Sequence, residues 1–254
     1  MKLRVLGAFG SEGLGQRPSA FLVNDRVLVD AGTVGGALTI PEQLAIEHAL
    51  LSHAHLDHLV GLAFLADALA SSPETPSVTV MGIAPVVDAV REGIFNNVVW
   101  PNFARIPSEE TAVIRYRTLA ADAEQHVGDL WVTPVAVSHT VPAAGFVVHD
   151  GTRGFVYSGD TGPTEALWKA MRGLTGLRAV VLGCAFPNRH AVLAERSGHL
   201  TPKLIQREMD KLPPDIPVWI FHIKPPFYEE TAEELARLND GRITILEQDK
   251  TYIL

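Results

Sequence analysis

Four side chains able to bind a metal ion fall within six residues of one another in Ser52-His53-Ala-His55-Leu-Asp57-His58. Imidazole and carboxylate together suit zinc or another first-row divalent ion, and no thiolate is offered. In an extended loop His53 and His55 alternate onto one side and can face one ion. Asp57 and His58, where the chain turns into a helix, can face a second ion beside it. Gathering so many titratable groups at a strand end is costly without a cation to neutralise them, which argues against an incidental polar loop. Two ions need further ligands, and the chain has them in one recurring context. His139 in Val-Ser-His-Thr, Asp160 in Tyr-Ser-Gly-Asp-Thr and His222 in Phe-His-Ile-Lys-Pro each follow an apolar run. Loops at strand ends are where a scaffold usually carries its chemistry.

The elements needed to position these groups are legible as short runs of strand or helix spacing. Strands are expected at Leu3–Gly7, Ala20–Val23, Arg26–Asp30, His48–Leu51, Ser77–Val80, Ala112–Arg117, Trp131–Val137, Gly145–His149, Gly154–Tyr157, Arg178–Leu182, Val218–Phe221 and Arg242–Leu246. Asn24-Asp25 suits the tight turn of a hairpin, and Gly10–Gly15 reads as a loop. Helices are expected from Pro41, over a well-covered Leu59–Ala70, and at Pro163–Met171, Pro202–Lys211 and Glu229–Leu238. This rhythm of mixed strands with helices outside predicts a layered α/β sandwich rather than a doubly wound sheet. No repeat or linker divides residues 1–254, so one domain is the economical reading.

Composition narrows the function. A net charge of −8, with no Lys/Arg cluster, disfavours a protein that grips a long nucleic acid. Cys184 is the only cysteine, so no intrachain disulfide can form. No apolar run reaches the ~18 residues of a membrane span, and the N-terminus lacks a secretory pattern. A cytoplasmic location is the resulting expectation.

The pattern His-x-His-x-Asp-His, followed by separate His, Asp and His ligands, resembles the metallo-β-lactamase superfamily. That resemblance, which runs from about Leu3 to His222, implies an αββα four-layer sandwich. It also implies one ion bound by His53, His55 and His139, a second bound by Asp57, His58 and His222, and Asp160 bridging both. Within the superfamily the chain is most similar to the class II cyclic-nucleotide phosphodiesterases. The stretches that carry this are Leu28-Val-Asp-Ala-Gly-Thr33, Gly61-Leu-Ala-Phe-Leu, Ile94-Phe-Asn-Asn-Val-Val-Trp-Pro-Asn-Phe103, Tyr157-Ser-Gly-Asp-Thr-Gly and Ser197-Gly-His-Leu200. Gly183 departs from the pattern, standing where an acidic residue would be expected.

The implied chemistry is hydrolysis of a small phosphodiester, a 3′,5′-cyclic nucleotide, by water activated at two divalent ions. Zinc is the first expectation, with manganese or iron also suited to the ligands. Asp57, Asp160 and His199 are assigned to the reaction, His199 as proton donor to a leaving alkoxide, a role worth about 10²–10⁴-fold. Asn96, Asn97, Trp100, Phe103 and Thr161 are the candidates for contacting substrate, and Thr161 and Ser138 for bracing the ligands. His48, His126, His149 and His190 read as structural. The family resemblance also implies a homodimer. Three other readings remain: a tRNA 3′-processing endonuclease, which usually needs a flexible arm and a basic surface; a thioester or lactam hydrolase; and a nonhydrolytic metal or nucleotide sensor.

Overall fold

The computed structural model describes residues 1–254. Three antiparallel strands open the chain, β1 (Lys2–Gly7), β2 (Ala20–Val23) and β3 (Val27–Ala31). The β2–β3 turn holds Asn24 and Asp25 at φ 48° and 59°, the left-handed region that a two-residue hairpin turn requires and that Asn and Asp tolerate. Parallel pairing then takes over. Helix α1 (Ile40–Leu44) leads to β4 (His48–Leu50), α2 (Leu56–Ala70) to β5 (Val78–Gly82), and α3 (Ala84–Gly93) to β6 (Ile114–Thr118). A final strand, β14 (Thr251–Ile253), pairs with β1, giving a sheet of order β14-β1-β2-β3-β4-β5-β6.

The second sheet repeats this plan. Strands β7 (Gln125–Val127), β8 (Leu130–Ala136), β9 (Ala144–His149) and β10 (Gly154–Tyr157) are antiparallel. Strands β11 (Leu177–Gly183), β12 (Val218–Phe221) and β13 (Ile243–Ile245) add in parallel to β10 through α4 (Ala166–Met171), α5 (Ala191–Arg196), α6 (Pro202–Met209) and α7 (Tyr228–Arg237). Because β9 runs against both its neighbours, β8 points the same way as β10, β11 and β12. Their C-terminal ends therefore share one edge, and this is what brings distant ligands together.

Three apolar clusters define the layers. One, with Phe21, Phe146, Phe155, Tyr157 and Phe221, lies between the sheets. A second joins the first sheet to α2 and α3, and a third joins the second sheet to α4, α6 and α7. The architecture is thus αββα, the metallo-β-lactamase sandwich. Helix α2 sits close because Gly61 carries no side chain: a Cβ there would lie 2.7 Å from the Ala31 carbonyl oxygen. Its Leu59, Leu62, Leu65 and Leu69 are buried, each contributing on the order of 2 kcal/mol.

The elements differ from expectation in four places. Helix α2 begins at Leu56, so Asp57 and His58 occupy its first turn. It is also less covered than its sequence suggests, with Leu56 and Phe64 more than half exposed along one stripe. Helices α3 and α5 and strands β7 and β14 had no distinct signal, being short or, in α3, opened by a proline at its second position. Helix α4 starts at Ala166 rather than Pro163.

Candidate metal centre

Each candidate ligand leaves the end of a strand. His53 and His55 follow β4, Asp57 and His58 begin α2, His139 follows β8, Asp160 follows β10, and His222 follows β12. The seven side chains converge. His53, His55, His139 and Asp160 offer ligand atoms that all lie within 4.8 Å of one another, and so do Asp57, His58 and His222. Asp160 sits between the two groups, its Oδ2 3.6 Å from His53 Nε2, 3.3 Å from His58 Nε2 and 3.0 Å from His222 Nε2. His139 Nε2 and His55 Nδ1 approach to 3.2 Å, two lone-pair positions that only a shared cation or proton makes favourable.

The outer nitrogens explain which atoms face inward. His58 Nδ1 donates to Asp30 Oδ2 at 2.7 Å, and His53 Nδ1 donates to Ser52 Oγ at 2.9 Å. Ser52 Oγ in turn donates to Asp30 at 2.8 Å, as does the Tyr157 hydroxyl at 2.6 Å. Ser19 Oγ donates to the Phe9 carbonyl, so it accepts from His222 Nδ1 at 3.1 Å. The Gly198 carbonyl accepts from His139 Nδ1 at 3.0 Å. With every Nδ1 bonded outward, the Nε2 atoms of these four rings all face inward. Those of His53, His58 and His222, together with Asp160 Oδ1, are buried without any hydrogen-bond partner. Buried polar atoms are nearly always paired, and lone pairs aimed at one point fit a divalent cation. The residues present therefore fit two ions, with the outer partners fixing tautomer and ring orientation.

Asp30, Ser52, Ser19, Tyr157 and Lys224 escaped the sequence reading as site residues. Asp30 did carry a signal, being the one charge in an otherwise apolar strand, held at φ 56°. His222 is likewise left-handed at φ 70°, and such strain in a non-glycine residue clusters at functional sites. Gly10 and Gly198 make room: a Cβ on Gly10 would lie 2.8 Å from His222 Cδ2, and one on Gly198 2.9 Å from His139 Cα. Lys224 Nζ reaches Asp57 Oδ2 at 3.3 Å and also bonds the Gly10 carbonyl.

Burial, then the neighbouring imidazoles, hold His53 and His55 neutral, and burial holds His222 neutral against the pull of Asp160. His58 differs. Burial disfavours its charge, but Asp160 and Asp30 on either side outweigh that and keep its pKa well above the usual range. Burial would raise Asp160, yet His222 and His58 hold it well below the ordinary carboxylate range. Without a cation the cluster thus keeps a proton on His58, which an ion must displace. Metal uptake near neutral pH is expected to release about one proton per chain. Calorimetry in buffers of different ionisation heat measures this, and proton-neutral uptake would contradict it.

Asp30 links the two groups, because it orients His58 directly and His53 through Ser52. Asp30→Asn keeps the shape but removes a charge-assisted bond to His58. It is expected to weaken metal binding by about 10–100-fold, read by chelator competition; undiminished affinity would remove Asp30 from this role.

The other predicted residues are placed as follows. His199 is buried, with Nδ1 3.9 Å from Asp160 Oδ2 and its ring stacked 5.3 Å from that of His222. Burial pushes its pKa down to about 3. Ser138 and Thr161 brace each other: the Thr161 hydroxyl accepts from Ser138 N at 3.2 Å and donates to the Gly162 carbonyl. Thr161 is buried in that contact. Asn96 and Asn97 spend their amides on their own turn, bonding Glu92, Gly93, Val98, Val99 and Asn102 backbone. Trp100 packs on Phe64 of α2, and Phe103 is buried against Phe95. None of these four shares a bond or ring contact with the histidine cluster, since the segment packs on the helical side of the first sheet. At Gly183 the amide donates to Ser158 Oγ, and a Cβ would press to 3.1 Å from the Gly159 carbonyl. A larger residue there would crowd the loop carrying Asp160.

An αββα sandwich carrying a His/Asp cluster suited to metal ions at the strand ends defines the class of the protein. The chain belongs to the beta-lactamase superfamily domain family, whose profile matches residues 25–223. Among curated relatives it is 28% identical over 213 residues to a probable 3′,5′-cyclic-nucleotide phosphodiesterase of Yersinia pestis, covering 73% of this chain and 59% of that protein. It is 25% identical over 261 residues to the 3′,5′-cyclic-nucleotide phosphodiesterase of Aliivibrio fischeri, covering 81% of this chain and 76% of that one. The crystal structure of unliganded yeast PDE1 superposes with a TM-score of 0.83 at 16% identity, over 100% of this chain and 99% of that one; it shares the fold. No helix is long and apolar enough to cross a membrane.

Proposed function

We propose that residues 1–254 form one dinuclear-metal phosphodiesterase domain that hydrolyses 3′,5′-cyclic nucleotides to nucleoside monophosphates. The observation that carries the metallohydrolase reading is the set of buried, unpartnered Nε2 atoms of His53, His58 and His222 around Asp160. The cyclic-nucleotide substrate is supported by what the Yersinia and Aliivibrio relatives are named for. His53, His55, His139 and Asp160 would hold one ion, and Asp57, His58, His222 and Asp160 the other. Zinc is favoured because the set is imidazole-rich and tetrahedral coordination needs few ligands.

When bound, two divalent ions supply Lewis acidity and lower the pKa of a water. The chain's own residues do the rest. Asp160 and Asp57 orient the attacking water in line with the leaving oxygen. Lys224, next to Asp57 and partly exposed, offers a fixed positive charge to a phosphoryl oxygen. His199 delivers the proton to the leaving 3′-oxygen. We also place the protein in the cytoplasm, and assign the exposed stripe of Leu56, Val60 and Phe64 to contact with a second copy in a homodimer.

The test is hydrolysis of cyclic AMP and bis-p-nitrophenyl phosphate by protein loaded with zinc or manganese. Both are expected to turn over, and chelation should abolish turnover until metal is restored. Two bound equivalents without hydrolysis of either ester would overturn the enzyme reading in favour of a metal sensor.

A further inference from the structure

A cavity of about 640 Å³ lies against the loops that carry His139, Asp160 and His199. Ser138, Gly162 and Gly198 form one wall, and Glu195 of α5 with Lys203 and Arg207 of α6 form the other. The first wall is continuous with the metal centre: Gly162 N donates to the Ser138 carbonyl at 2.7 Å, and the Gly198 carbonyl holds His139. Gly198, the residue before His199, and Thr201, two residues after it, are both on the lining. A group leaving toward His199 therefore leaves beside this cavity.

Its lining carries two cations and one carboxylate. Lys203 and Arg207 stand one helical turn apart on α6, and neither side chain makes an ion pair or hydrogen bond. Like charges at this spacing repel, so the pair does not serve the helix. Two free cations over a cavity, in a protein of net charge −8, suit a phosphate, to which Arg and Lys make charge-assisted bonds. Glu195 is the one acidic acceptor on the lining and suits a ribose hydroxyl.

We infer that this cavity is a subsite for a second phosphate on the leaving half of the substrate. The centre would then also cleave linear phosphodiesters whose leaving nucleoside carries a 5′-phosphate. The inference rests on the phosphodiesterase reading. In the step, a water oxygen bonds to phosphorus and gives up a proton. The bond from phosphorus to O3′ breaks, its electron pair goes to O3′, and O3′ takes a proton. The products are two nucleoside monophosphates, so a phosphorylated dinucleotide and a cyclic nucleotide would share one leaving oxygen.

The test compares diadenylate with and without a 5′-phosphate on the metal-loaded chain. The native protein is expected to prefer the phosphorylated form by about tenfold or more in kcat/KM. The Lys203→Met/Arg207→Met double variant should bring that ratio close to unity with its bound metal and melting temperature retained. No preference in the native protein, or a preference kept by the double variant, overturns the subsite. If the native protein hydrolyses neither dinucleotide, nor cyclic AMP, nor bis-p-nitrophenyl phosphate, the phosphodiesterase reading fails instead. The subsite is then judged by calorimetric binding of 5′-AMP: about tenfold weaker binding in the double variant supports it, and equal binding overturns it.

Discussion

Asp160→Asn is expected to lower phosphodiester turnover by about 10³-fold or more and to cost about one bound metal equivalent per chain. Its Oδ2 lies within 3.6 Å of His53, His58 and His222 Nε2 together, so both proposed ion positions would depend on it. The amide preserves volume but has one neutral acceptor and no charge. It would leave His58 between one carboxylate and a neutral neighbour, and would remove the negative charge that two cations at close range need. Metal analysis by mass spectrometry, with steady-state rates on the same sample, checks both parts. Two equivalents retained with native turnover would show that Asp160 bridges nothing.

His199→Ala is expected to lower turnover of cyclic AMP by about 10²–10⁴-fold without loss of metal. Burial pushes the free ring's pKa down to about 3, so the donor role requires the bound phosphate anion to restore its proton. The leaving group provides the discriminating measurement. A sugar alkoxide needs a proton in the transition state, whereas p-nitrophenolate leaves without one, so bis-p-nitrophenyl phosphate should suffer far less than cyclic AMP. His199 also lies within ligand reach of Asp160 and His222. If it were a metal ligand instead, metal content would fall and both esters would slow in parallel.

The convergence of the candidate ligands was legible because most follow a run whose alternation or apolar character marks a strand, and strand ends in a layered fold share an edge. Their partners were harder to see. Asp30 stands 22 residues before Ser52, and only the parallel pairing of β3 with β4 brings the two together. Tyr157 looks like an ordinary core aromatic until its hydroxyl is found on Asp30. The Asn96–Phe103 run shows amides and rings with local partners of their own. Its amides and aromatic rings suggested a base pocket, yet Asn97 at φ 64° and the self-bonded Asn96 mark a turn that packs on α2. Composition could not separate a pocket from a turn, because amides serve both. The phosphate-suited pair Lys203 and Arg207 was invisible as well, being two charges on an amphipathic helix until the cavity beside them is known.

Anomalous diffraction from crystals of the zinc-loaded chain, recorded at the zinc edge, tests the two-ion centre most directly. Two peaks are predicted, one enclosed by His53, His55 and His139, the other by Asp57, His58 and His222, with Asp160 touching both. A single peak elsewhere, or none within bonding distance of these imidazoles, would contradict the assignment.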